Sequence, residues 1–158
     1  MNPALLEARD KLLQPALMNL WRTHDIALVT ELYRTCWAEV SDDSTPPDEL
    51  ASDSQIHLIA SDADTLGVIS FYQAWSGAWG IHVCFQPDKR ANVRTALVLA
   101  LAWLRENTPA TCLMGIAAKG KPGIAATCRV LGMKPAGVLQ RAFLRNGGTD
   151  AVIWQRAL

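Results

Sequence analysis

The chain has 158 residues, half of them apolar, and its 15 Lys plus Arg balance 15 Asp plus Glu. That is enough chain for one domain with a single core, and the even charge gives no global electrostatic case for nucleic acid or an anionic membrane as partner. The longest apolar run, 96–104, is about half of what a membrane-spanning helix requires. The first residues lack the uninterrupted apolar stretch of a signal peptide, so a cytoplasmic location is expected.

Taken in chain order, residues 3–11 and 15–22 read as helical or irregular, with Pro15 interrupting any single long helix. A clearer helix is predicted over 26–40, where Ile26, Val29, Leu32, Tyr33, Cys36, Trp37 and Val40 recur at three- and four-residue steps. Thr23 and Asp25 are its N-cap candidates. The polar segment 41–54 is the natural candidate for a lid. From residue 55 the pattern becomes that of strands: 55–61, 65–75 and one from Ala78 to Phe85, joined by short turns at Asp62-Ala63-Asp64 and Ser76-Gly77. A polar turn, Gln86 to Arg90, leads into a helix over 91–107. Then come a strand over 111–117, a Lys/Gly loop over 118–123 and a helix over 124–131, stopped by Gly132. Two strands, 136–145 and 151–157, close the chain around the hairpin signal at 146–150.

Several chemistries drop out at this point. The three histidines are not at metal-ligand spacing, and no HExxH, Gly-x-Ser-x-Gly elbow, P-loop or dinucleotide fingerprint occurs. Cys36, Cys84, Cys112 and Cys128 show no CxxC spacing and each sits in an apolar stretch, which reads as four reduced, buried thiols in a reducing interior. Trp75 and Trp79 flank a hairpin tip, where they either mark a partner surface or fold back over the sheet. The segment 80–104 is the most informative. A buried strand there feeds a loop and then a helix N-terminus, whose unpaired N–H groups and dipole favour an anionic ligand.

The order helix, three-strand meander, helix, strand, helix, hairpin is carried by the strings IHVCFQPDKRANVRTALVLALAWLRENT, LGMKPAGVLQRAFLRNGG and TDAVIWQRAL. It resembles the GNAT acyltransferase superfamily, and within it the small GNAT-like proteins of tailed bacteriophages. The match covers residues 55–158 best, so the chain reads as one domain with an N-terminal extension over 1–22. The resemblance implies an α/β (α+β) fold: a mixed, mostly antiparallel central sheet of about six to seven strands with helices on both faces. It also implies acetyl-CoA as cofactor, no metal, and a pantetheine held between two central strands that splay apart.

Carried onto this sequence, the cofactor would run along Val83 and Phe85, then along Arg90, Ala91, Val93, Arg94 and Thr95, with Lys121 at the start of the next helix. The family's phosphate-loop glycines fall here on Val93 and Thr95, both β-branched, so Arg90 and Arg94 would take the phosphates through side chains. His82 takes the general-base position, and Cys128 stands where the family often has a tyrosine acid. Two functions follow from the resemblance. One is an acetyl-CoA-dependent N-acyltransferase acting on an amine. The other is an inactive GNAT-like phage protein, virion-associated or an assembly component, that works through protein contacts with itself or other phage structural proteins. The proposition tested by structure is that strands 78–85 and 111–117 lie side by side and diverge at one end beside the helix over 91–107.

Overall fold

In the computed structural model, residues 18–36, 51–143 and 148–158 are described. The strand β1 (Asn19–Thr23) pairs antiparallel with β2 (Ile56–Ser61), so a segment read as helical or irregular is an edge strand. Between them runs α1 (Ile26–Thr35), capped by Asp25, whose carboxylate accepts the Leu28 N–H at 3.0 Å. Trp37 and Val40, read as the end of this helix, lie outside the described residues, as does most of the 41–54 segment. The meander continues through β3 (Thr65–Gln73) and β4 (Ala78–Phe85). Pro87–Asn92 forms a 3-10 turn rather than an open loop, and α2 (Val93–Asn107) follows it. A proline in the first helical position suits this start, because its missing N–H would have had no partner there.

The second half of the chain contributes β5 (Cys112–Ala118), α3 (Pro122–Val130), β6 (Lys134–Phe143) and β7 (Thr149–Ala157). Gly132 ends α3 with φ +71, the left-handed conformation that its lack of a Cβ permits. The seven strands of the described residues form one sheet in the order β1-β2-β3-β4-β5-β7-β6. Every neighbouring pair is antiparallel except β4 and β5.

Helices cover both faces. On one, Leu58, Ile69, Phe71 and Phe85 of the sheet pack with Leu97 and Leu104 of α2 and with Cys128 of α3. On the other, Ile59, Val68 and Cys84 pack with Val29, Leu32 and Tyr33 of α1. Double coverage explains why β2 and β3 are apolar on consecutive residues instead of alternating. Of the two hairpin-tip tryptophans, Trp79 is in the core and Trp75 is 68% exposed.

The parallel ladder joining the halves is short. It consists of Ala78↔Cys112, Trp79↔Leu113 and Gly80↔Met114. Beyond Gly80, β4 stays with β3 as far as Phe85, and β5 stays with β7 as far as Ala118, but the two no longer pair with each other. The expected divergence is therefore present.

One expectation about the cysteines fails. Cys36, at the C-terminus of α1, and Cys84, in the diverging half of β4, form a disulfide across 48 residues of sequence. Packing of α1 over β4 brings the two buried sulfurs together, which no spacing in the sequence announces. Cys112 and Cys128 are free thiols.

Beside this bridge lies a buried polar chain. The Tyr33 hydroxyl donates to Ser70 Oγ at 2.8 Å, Ser70 Oγ lies 2.7 Å from His57 Nδ1, and His57 Nε2 lies 2.7 Å from the Ser52 carbonyl. The carbonyl can only accept, so Nε2 carries the proton and Nδ1 accepts from Ser70, which satisfies every group. Burial pushes Tyr33 up, and burial is also the main cause that holds His57 below its ordinary value of 6.5. A folded-state value below the unfolded one means that protonation favours unfolding. Stability is therefore complete above about pH 6.5 and falls as the pH drops below it. Urea midpoints measured between pH 8 and pH 5 should show this decline, and His57→Gln should flatten it; equal slopes in the two proteins would exclude His57 as its source.

Candidate functional site

Alternation along β4 sends Ile81, Val83 and Phe85 toward α2, while His82 and Cys84 face the α1 side. His82 is the second residue past the last β4–β5 pair, so it stands on one wall of the opening. Its ring stacks on Tyr72 of β3, with centroids 5.0 Å apart and planes 25° apart. The Tyr72 ring also crosses Gly80, where any Cβ would collide with it. Glycine at position 80 thus gives Tyr72 room to lie along β4 and reach His82. The imidazole is half-buried.

The residues expected to hold the cofactor fall into two groups. Val83 and Phe85 lie on the unpaired stretch of β4, with Phe85 in the core and Val83 half-buried against it. Arg90 and Ala91 are exposed on the 3-10 turn, and Arg94 and Thr95 are exposed on the first turn of α2. Val93 turns inward against the core. The turn is tied to the β2–β3 connection by Lys89 Nζ to Asp64 Oδ2 at 3.3 Å and by Asn92 Nδ2 to Asp62 Oδ2 at 3.5 Å.

This geometry changes how an anion would be met. The Val93 N–H, expected to be an open donor at the helix start, is bonded to the Arg90 carbonyl. No side chain caps α2. Positive charge at this corner therefore comes mainly from the Arg90 and Arg94 side chains rather than from a nest of amides. Lys121 is the N-cap residue of α3, on the loop that follows β5.

Cys128 does not join His82. It lies in the core on the α2 side of the sheet, and a Cβ at Gly115 would sit 3.2 Å from its sulfur. Burial pushes this thiol up to about 11. Proton transfer from such a thiol to an ordinary thiolate runs uphill, so the placement suits packing and not an acid role. Among the described residues, no group of three or more His, Cys, Asp or Glu side chains is placed to hold a metal ion. Nor is any described helix long and apolar enough to cross a membrane.

Sequence reasoning expected the end of the β4–β5 pairing but missed the stacking of Tyr72 on His82. The signal available was Gly80, one strand away, because a glycine inside a strand marks a place where something approaches closely.

No protein-family model matches the chain, and no curated protein matches it in sequence. Solved structures do match in fold. A spermidine N-acetyltransferase from Vibrio cholerae, described as a dodecamer, gives a TM-score of 0.70 at 14% identity, covering 90% of this chain and 95% of that one. A probable GNAT-family acetyltransferase from Chromobacterium violaceum gives 0.68 at 17% identity, covering 91% and 84%. A provisionally assigned phosphinothricin N-acetyltransferase gives 0.71 at 16% identity, covering 90% and 99%. At such identities the likeness is one of architecture: the chain has the fold of GNAT acetyltransferases.

Proposed function

We propose that this protein is an acetyl-CoA-dependent N-acetyltransferase with His82 as general base. The observation that carries the reading is the end of β4–β5 pairing at Gly80↔Met114, with His82 just inside the opening. The fold shared with N-acetyltransferases supports it.

The residues present fit acetyl-CoA. Among the described residues, the edge of β4 that faces β5 has no strand partner from 81 to 85, and an extended amide-bearing chain would pair there. Arg90 and Arg94 project from the corner where that edge runs into α2 and would hold phosphate oxygens by charge-assisted hydrogen bonds. Lys121 would add a further cation from the far side of the opening. When bound, the cofactor supplies an acetyl group activated as a thioester. His82 accepts the proton that the acceptor ammonium must lose before its nitrogen becomes nucleophilic. A backbone N–H on the unpaired edge of β4 donates toward the carbonyl oxygen, where negative charge develops. Tyr72 keeps the imidazole from swinging out of line. Cys128 takes no step in this scheme, because it is buried on the other face.

Thermal unfolding with acetyl-CoA tests the proposal. At a hundredfold excess over the dissociation constant, the native state gains about 2.7 kcal/mol, which for a chain of this size is a rise of roughly 5–10 °C in Tm. No rise at millimolar acetyl-CoA would dismiss the enzyme reading. Arg90→Ala with Arg94→Ala should weaken the shift while leaving the melting temperature of the free protein within about 1 °C, as fits surface substitutions.

A further inference from the structure

Resting on the acetyltransferase reading, we infer that the acceptor is a primary amine attached to an apolar body, aryl or branched alkyl, and not a polyamine. The sheet face that carries His82 is covered unevenly. α1 packs against β3 and β4 there, and its core cluster takes in no residue of β5, β6 or β7. Register places the uncovered residues. Were the β4–β5 ladder continued from Gly80↔Met114, Ile116 would stand opposite His82, so the two face each other across the divergence on one side of the sheet. Ile116 is 41% exposed although it lies in the interior strand β5. Next to it on β7 is its partner Ile153, half-buried; the β6 residue opposite Ile153 is Gly137, and Leu139, 50% exposed, lies two residues further along β6, opposite the buried Ala151. Met114, half-buried, lies two residues back along β5.

An apolar shelf thus runs from the proposed base outward, starting at the Tyr72–His82 stack. Among the described residues of β3, β4, β5 and β7, alternation puts no Asp or Glu on this face. A second ammonium laid along it would lose water without gaining a counter-charge, whereas an aryl or alkyl group would cover surface that is exposed at a cost. One amine at the base and an apolar remainder on the shelf is the arrangement this chemistry selects.

The test pairs 2-phenylethylamine with spermidine as competing acceptors and reads acetylated products by mass. Spermidine is the decisive competitor because it carries the further ammonium groups that this face would leave without a counter-charge. The aryl amine should be favoured at least about tenfold in kcat/KM, as an apolar subsite of this size discriminates. Calorimetric titration of 2-phenylethylamine into the CoA-loaded protein should show binding independently of turnover. Ile116→Glu, at an exposed position, should raise KM for the aryl amine about tenfold and leave the CoA-induced melting shift intact. Preference for spermidine, absence of aryl-amine binding to the CoA-loaded protein, or an unaffected KM in Ile116→Glu overturns the inference while the enzyme reading stands. Failure of CoA itself to shift melting removes both, and the two failures are told apart by that measurement.

Discussion

If His82 is the proposed base, replacing it with alanine should lower kcat by roughly 10²- to 10⁴-fold, the range spanned by loss of a positioned general base, while CoA affinity should stay within about twofold. The split follows from where the imidazole sits. It projects to the α1 side of β4, whereas the groups proposed to hold the cofactor are the strand's unpaired edge and the arginines at the start of α2. Truncation removes a proton acceptor without disturbing that edge, because His82 is half-buried and its ring packs on Tyr72, not in either core cluster. Steady-state rates with acetyl-CoA and an amine, together with CoA titrations, separate the two effects. Equal kcat in the variant would assign deprotonation of the amine to water.

Removing the bridge between Cys36 and Cys84 is the second large effect. In the chain-entropy account, a cross-link spanning the observed 48 residues restricts the unfolded chain by about 4 kcal/mol. A Cys36→Ala, Cys84→Ala double variant should therefore melt roughly 8–16 °C lower. A dithiol reductant should lower the melting temperature of the parent protein and leave the double variant unmoved. Alkylation of the unfolded, unreduced protein should label only Cys112 and Cys128. Label on all four cysteines without reductant, or a double variant as stable as the parent, would rule the cross-link out. The bridge fastens the end of α1 to the diverging part of β4, so its loss should also loosen the wall that carries His82.

Local rules read well from the sequence where a local cause decides the structure. Asp25 caps α1 because its carboxylate reaches an N–H three residues on, and Gly132 ends α3 because only glycine takes its φ without strain. The meander and its turns were legible from apolar runs between turn residues. β1 was not, since Asn19–Thr23 becomes a strand through its ladder with β2 and has too few residues for a period to show. The 3-10 turn was read as a loop because Pro87, Asp88 and Lys89 are turn formers in either conformation. Long-range pairings were invisible for a plainer reason. Cys36 meets Cys84, and Tyr33 meets Ser70 and His57, only once α1 has been laid across the sheet. A histidine within an apolar strand does announce that a buried partner is required, and His57 could have been marked on that ground. Of the candidate site, the end of the β4–β5 pairing was legible through the resemblance, while the stacking of Tyr72 on His82 depends on the β3–β4 register.

The three-rung ladder between β4 and β5 joins two leaves of the sheet. One leaf is the antiparallel set β1 to β4 with α1, the other the antiparallel set β5, β7 and β6, and the core beneath α2 takes residues from both. A guest wedged at the spine would grip both leaves at once, so its arrival stiffens parts of the chain far from any atom it touches.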